Sequence, residues 1–201
     1  MRTLHTSRHL TPCLAAICLA AGLAACDVNA VPRRDEAVNA AWSQVLNQYQ
    51  RRADLVPNLV NTVKGYAAQE QQVLTEVTNA RANVGAIKAT PELINDPVAF
   101  QKFVQAQNQL QGALSRLLLV AENYPQLKSD ALFRDLQSQL EGTENRIAVA
   151  RRDYIEAVRA YNTELKTFPG VLWASTLYRS YKPMETFTVA EDLKRPPTVK
   201  F

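Results

Sequence analysis

Five carboxylates, Glu122, Glu141, Glu144, Asp153 and Glu156, are the residues of this 201-residue chain whose type and spacing come nearest to catalytic chemistry. Two of them flanking a bond at a set separation could serve as acid and base, as in glycoside hydrolysis. The competing account is that each pairs with arginines on its own helix face. Glu144, for instance, has Arg151 seven residues on and on the same face. Other chemistries lack their residues. The two histidines, His5 and His9, and two of the three cysteines, Cys13 and Cys18, all lie in the first 18 residues. Triads, Cys-His dyads and the usual zinc sites therefore have nothing to draw on in the body of the chain. Gly65, Gly85, Gly112, Gly142 and Gly170 are isolated, so no glycine-rich phosphate loop is present. Neither a metal nor a cofactor is expected.

A second group is basic and polar: Arg51, Arg52, Asp54, Asn58 and Lys64, around Pro57. Arg52 is the most informative, because the apolar spacing described below points it inward. A buried guanidinium needs a carboxylate or several carbonyls, since an unpaired charge in a core costs several kcal/mol. The cluster is then either an anion or peptide-carboxylate site, or Arg52 belongs to a structural pair that sets helix register beside Pro57.

Cys26 carries the third chemistry. Arg2 and Arg8 form a positive n-region, and Leu10 to Ala25 an apolar stretch of 16 residues, shorter than the roughly 20 that span a bilayer. Leu23-Ala24-Ala25-Cys26 resembles a lipobox, in which cleavage precedes the cysteine and its sulfur is acylated. The expected organisation is a signal peptide at 1–25, an anchor linker at 26–32, a helical domain at 33–170 and an aromatic, proline-containing tail at 171–201. The processed chain would keep Cys26 alone and no internal disulfide. Two or three acyl chains, at about 0.8 kcal/mol per buried CH₂, hold a protein on a membrane stably. The expected place is a bacterial membrane, facing the periplasm, with Asp27 pointing to retention at the inner membrane. Loss of Arg2 and Arg8 lowers the formal charge from +4 to +2, too small to argue for nucleic acid.

The elements that must position these residues are helices. Apolar residues step by four and three through Val38, Trp42, Val45, Tyr49, Val56, Leu59, Val63, Tyr66, Val73, Val77, Ala80, Val84 and Ile87, with Arg52 and Glu70 in the vacant rungs. Period two, which strands require, is absent. Pro57 cannot donate to Ala53, so the helix kinks or restarts there, and the unbroken phase favours a kink. If continuous, residues 33 to 89 span on the order of 85 Å. Asp96 caps and Pro97 opens the next helix, whose stripe Phe100, Phe103, Leu110, Leu114, Leu117, Ala121 and Tyr124 has Gln107 as its one polar entry, and Pro125 ends it. Ser129 or Asp130 caps a last long helix with the stripe Phe133, Leu136, Leu140, Thr143, Ile147, Ala150, Tyr154, Ala157 and Tyr161, closed by Phe168-Pro169-Gly170. The fold class is all-α: an up-and-down antiparallel bundle of three or four long helices. The tail, with Trp173, Tyr178, Tyr181, Phe187 and Phe201, is expected to start as a short helix, finish extended and pack on the bundle.

Gln50 to Glu70 (QRRADLVPNLVNTVKGYAAQE) resembles the signature segment of the LemA family. Ala121 to Pro125 (AENYP) with Glu141 to Asn162 (EGTENRIAVARRDYIEAVRAYN) resembles its second block, and the match extends to the closing PPTVKF. The residues that stand out in that block are Glu122, Asn123, Tyr124, Pro125, Glu141, Asn145, Arg146, Arg151, Asp153, Tyr154 and Asn162. The resemblance implies a four-helix antiparallel bundle behind an N-terminal membrane anchor, and no defined activity. The chain departs from the family in carrying a lipobox where many members keep an uncleaved helix. It also matches the Phe-Glu-Ala pattern only loosely, as Phe187-Thr188-Val189-Ala190. Two functions of different class follow: a non-enzymatic envelope scaffold or adaptor for another membrane or envelope protein, or a cell-wall or glycan enzyme using the carboxylates. A concave site where two carboxylates converge would mark the second.

Overall fold

The 4-3 stripe from Val38 to Val63 is buried at every rung, Arg52 included, and this long apolar face is what holds the first helix together. The computed structural model describes residues 27–187, so Cys26, the apolar segment before it and the closing PPTVKF lie outside the described residues. Helix α1 spans Ala30–Tyr66 and continues unbroken through Pro57. Its start falls inside the stretch expected to be linker.

The ladder breaks at residues 67–70 instead, so residues 33 to 89 form two helices and not one. Burial on both sides of Pro57 outweighs one lost hydrogen bond, whereas the turn after Tyr66 is held from outside. The Tyr124 hydroxyl donates to the Glu70 carboxylate at 2.7 Å and accepts from the Gln69 amide at 2.9 Å. Helix α2, Gln71–Ala86, buries Leu74, Val77 and Ala80. A 3-10 turn at Pro91–Asn95 buries Leu93 and Ile94.

Helix α3, Pro97–Ala121, starts as expected: the Asp96 carboxylate accepts from the backbone N–H groups of Val98 and Ala99 at 2.9 and 3.0 Å. Pro125 opens a short helix α4, Pro125–Ser129, that seats Leu127 in the core. Helix α5, Ala131–Glu164, is capped by Asp130 and not Ser129, through the Phe133 N–H at 2.9 Å. Near its C-terminus Val158 is buried where Ala157 was expected. Helix α6, Gly170–Thr176, begins the tail.

These six α-helices, with no strand among the described residues, make an all-α bundle. Residue pairs give the directions. Tyr66 meets Asp130 and Arg52 meets Glu144, so α1 and α5 run antiparallel. Glu70 meets Tyr124 and Glu76 meets Arg116, so α2 and α3 do too.

Two apolar clusters fill the interior. One is aromatic and lies toward the start of α1, with Trp42, Tyr49, Phe100, Phe103 and Tyr154. The other is aliphatic, with Val56, Leu59, Val77, Leu110, Leu117 and Leu140. Between them sits a polar layer of Arg52, Gln107 and Thr143, the three buried polar residues among those described.

Candidate functional site

Arg52 is 1% exposed and donates in two directions. Its Nη1 meets both Glu144 carboxylate oxygens at 3.1 and 3.3 Å, and its Nη2 meets the Gln107 side-chain and main-chain oxygens at 2.6 and 3.1 Å. One residue from each of α1, α3 and α5 thus closes a charge-assisted network across the bundle. The guanidinium also lies over the Tyr49 ring, 5.0 Å from its centroid. Burial pushes the Tyr49 hydroxyl's pKa up; the cations Arg151 and Arg52 oppose this and the Glu144 charge adds to it. Arg52 Nε is buried and has no partner.

Glu144 therefore pairs across the bundle and not with Arg151 on its own helix. The spacing along α5 permits either, and the buried cation decides it: an uncompensated charge in the core costs more than a surface pair returns. Arg151 instead lies over the Phe187 ring, 4.4 Å from its centroid.

The other members of the basic and polar group do not join Arg52. Arg51, Asp54, Asn58 and Lys64 are exposed. Asp54 accepts from the Gln50 amide at 2.7 Å, and the Asn58 carbonyl accepts from the Thr62 hydroxyl at 2.9 Å. At 100° per residue Asp54 lies about 200° around the helix from Arg52, so one helix cannot aim both inward.

Two hollows flank the network. A cavity of about 170 Å³ is lined by Arg52, Gln107, Glu144, Asn145 and Arg151. A larger one of about 500 Å³, between α1, α2 and α3, is lined by Tyr49, Ala53, Arg81, Phe103 and Gln107. Of the five candidate carboxylates only Glu144 reaches either hollow. Glu122 pairs with Lys128, Glu141 accepts from Gln137 at 3.0 Å, Asp153 accepts from Arg152 at 3.2 Å, and Glu156 is exposed. Among the described residues no three of His, Cys, Asp and Glu are grouped to hold a metal ion.

Some of the second-block residues do one of two structural jobs. Tyr124 pins the α1–α2 turn, as described, and Pro125 opens α4 while Asn123 is exposed. Along α5, Tyr154 and Asn162 hold the tail, Arg151 covers it, and Arg146 is exposed. The Tyr154 hydroxyl donates to the Glu185 carbonyl at 2.6 Å, and the Tyr161 hydroxyl to the Lys182 carbonyl at 3.1 Å. The Asn162 amide meets Met184 twice, donating to its carbonyl and accepting from its N–H, both at 3.0 Å. Burial pushes both tyrosine hydroxyls well above their ordinary value, with the Glu185 charge adding at Tyr154 and Asp35 and Tyr181 adding at Tyr161. Phe187 then enters the aromatic cluster, 5.2 Å from Phe100 and 5.6 Å from Tyr154. Residues 182–187 are thus a strap laid back along α5, with Met184 and Phe187 buried in the core.

Sequence reasoning gave three participants no role. Gln107 was visible as the one polar rung of its stripe; Arg81 and the strap's main-chain carbonyls carried no signal.

The family model described as the LemA family matches residues 41–201. Among curated relatives, the chain is 29% identical over 136 residues to Magnetosome protein MamQ 1 and to Magnetosome protein MamQ 2 of Paramagnetospirillum magneticum, covering 60% of this chain and 50% of theirs. It is 26% identical over the same length to Magnetosome protein MamQ of Magnetospirillum gryphiswaldense. The chain spans about half the length of the curated relatives it matches.

Proposed function

The chain belongs to the LemA family, and from that premise we propose that it is a non-enzymatic, membrane-anchored protein of the cell envelope, a scaffold or adaptor for another membrane or envelope protein. The observation that carries this is the use made of its polar residues. The buried charge closes on Glu144 and Gln107 within the bundle, and Tyr124, Tyr154 and Asn162 of the second block hold a turn and the strap. A unit built this way presents a rigid surface and commits its chemistry to rigidity.

The anchor in this proposal is Cys26, acylated and facing the periplasm, with Asp27 favouring the inner membrane. Only Asp27, Val28 and Asn29 would separate it from α1, so the bundle would stand on the bilayer and not trail on a long tether. Among the described residues no helix is long and apolar enough to cross a membrane.

Proximity labelling from the full chain in living cells tests the scaffold role. The expected result is enrichment of a discrete membrane or envelope protein that disappears when exposed faces of α2 and α3 are substituted. Labelling indistinguishable from that of an unrelated lipoprotein would contradict it.

A further inference from the structure

Large apolar side chains exposed to solvent are scattered singly over most of the bundle, as on any soluble surface. One group is different. Phe168, Val171, Leu172 and Leu177 are 75%, 42%, 46% and 63% exposed and fall within the α5–α6 corner. Four exposed large apolar side chains within ten residues of one corner are the kind of concentration that marks a contact surface.

Its place in the molecule says with what. A cavity of about 540 Å³ is lined by Asp27, Ala30, Arg33, Arg34, Glu164 and Pro169, so the corner lies beside the start of α1. The Tyr178 hydroxyl donates to Asn29 Oδ1 at 3.4 Å, which ties the residues after α6 to the same spot. Asp27 therefore sits next to the patch, and Cys26, the anchor in the proposed function, is the residue before it.

The surrounding residues suit a bilayer boundary. Trp173, Tyr178 and Tyr181 are partly exposed, the amphipathic aromatics that sit at headgroup level. Lys166, Arg179, Lys182, Arg33 and Arg34 are exposed around them. Four carboxylates share this end: Asp27, paired with Arg33, Glu164, and Asp35 and Glu36 beside Tyr181, so the basic side chains outnumber them by one.

We propose that the α5–α6 corner is a bilayer-docking face: Phe168, Leu172 and Leu177 enter the boundary between headgroups and acyl chains, with the basic side chains on anionic headgroups. This rests on the anchor reading and adds to it a fixed orientation, in which the bundle stands on its strap end and lifts the α1–α2 turn away from the membrane. That turn lies a whole helix away, on the order of 55 Å for α1.

The test uses the full chain, reconstituted in vesicles of phosphatidylethanolamine and phosphatidylglycerol, with an environment-sensitive fluorophore on Leu177→Cys. Leu119→Cys, 70% exposed near the opposite end of the bundle, is the control. Both substitutions are on the surface and leave the core intact. The expected result is a blue shift and severalfold quenching by lipids brominated near the headgroup at 177, with neither at 119. Protein that floats with vesicles while both labels stay aqueous overturns the docking face and leaves the anchor standing. Protein that does not float overturns both. A label at 177 already shielded before vesicles are added shows that residues 188–201 or a second copy cover the patch, and it too overturns the proposal.

Discussion

Arg81 Nε donates to the main-chain carbonyl oxygen of Ala53 at 2.9 Å, the acceptor that Pro57 leaves free four residues later. A proline inside a helix removes one hydrogen bond and ordinarily costs about 3 kcal/mol. Here the freed carbonyl is taken by a side chain from α2, so the proline becomes a docking point between helices. The pair should therefore behave as a unit. Arg81→Met should cost about 1 kcal/mol with Pro57 in place, because it orphans an acceptor. With Pro57→Ala the helix supplies its own donor and the cost of Arg81→Met should shrink. Urea unfolding of the four-member cycle measures this, and additive effects would refute it.

The buried network predicts an asymmetry. Glu144→Ala leaves a guanidinium that is 1% exposed with only Gln107 to accept from it, and should destabilise by about 3 kcal/mol or more. Arg52→Met leaves a carboxylate that is 30% exposed and can turn to water, and should cost clearly less. Equal losses in chemical denaturation would mean that the network is not what sets the cost.

Asn162→Ala should release the strap without unfolding the bundle. Its amide makes both hydrogen bonds to Met184, and Phe187 follows three residues on. Amide exchange at 182–187 should accelerate by an order of magnitude or more while α1 stays protected. Unchanged exchange there would show that Tyr154 and Tyr161 hold the strap alone.

Asp130 links stability to pH. The Phe133 N–H first, and the Tyr66 hydroxyl second, hold its carboxyl below the ordinary value of 3.8. With the folded value below the unfolded one, the stabilisation is complete above about pH 4 and fades as pH falls through the folded value. Asp130→Asn keeps the cap's shape and loses its charge. Wild type should therefore melt higher than Asp130→Asn at pH 7, and the gap should close below pH 3.8. A gap independent of pH would exclude the charge as its source.

Much of this was legible along the chain. The 4-3 stripes located α1, α3 and α5, and both the inward Arg52 and the polar rung Gln107 stood out against them. What periodicity along one helix cannot encode is the register between helices. Glu144 lies off the stripe, next to Thr143, and became Arg52's partner only when α5 packed antiparallel on α1. The break at 67–70 was hidden for the same reason: it is held by Tyr124, more than 50 residues away. The strap's anchoring was hidden differently. Tyr154, Tyr161 and Asn162 bond to main-chain groups, and a carbonyl looks alike in every residue.

The membrane anchor at Cys26 is the claim on which the proposed role and orientation both depend. Metabolic labelling with palmitate, comparing the wild-type chain with Cys26→Ser, tests it most directly. The account predicts a labelled, processed wild-type protein in the membrane fraction, and a Cys26→Ser protein that is unlabelled and accumulates as precursor. Cys26→Ser labelled and processed like the wild type would contradict it.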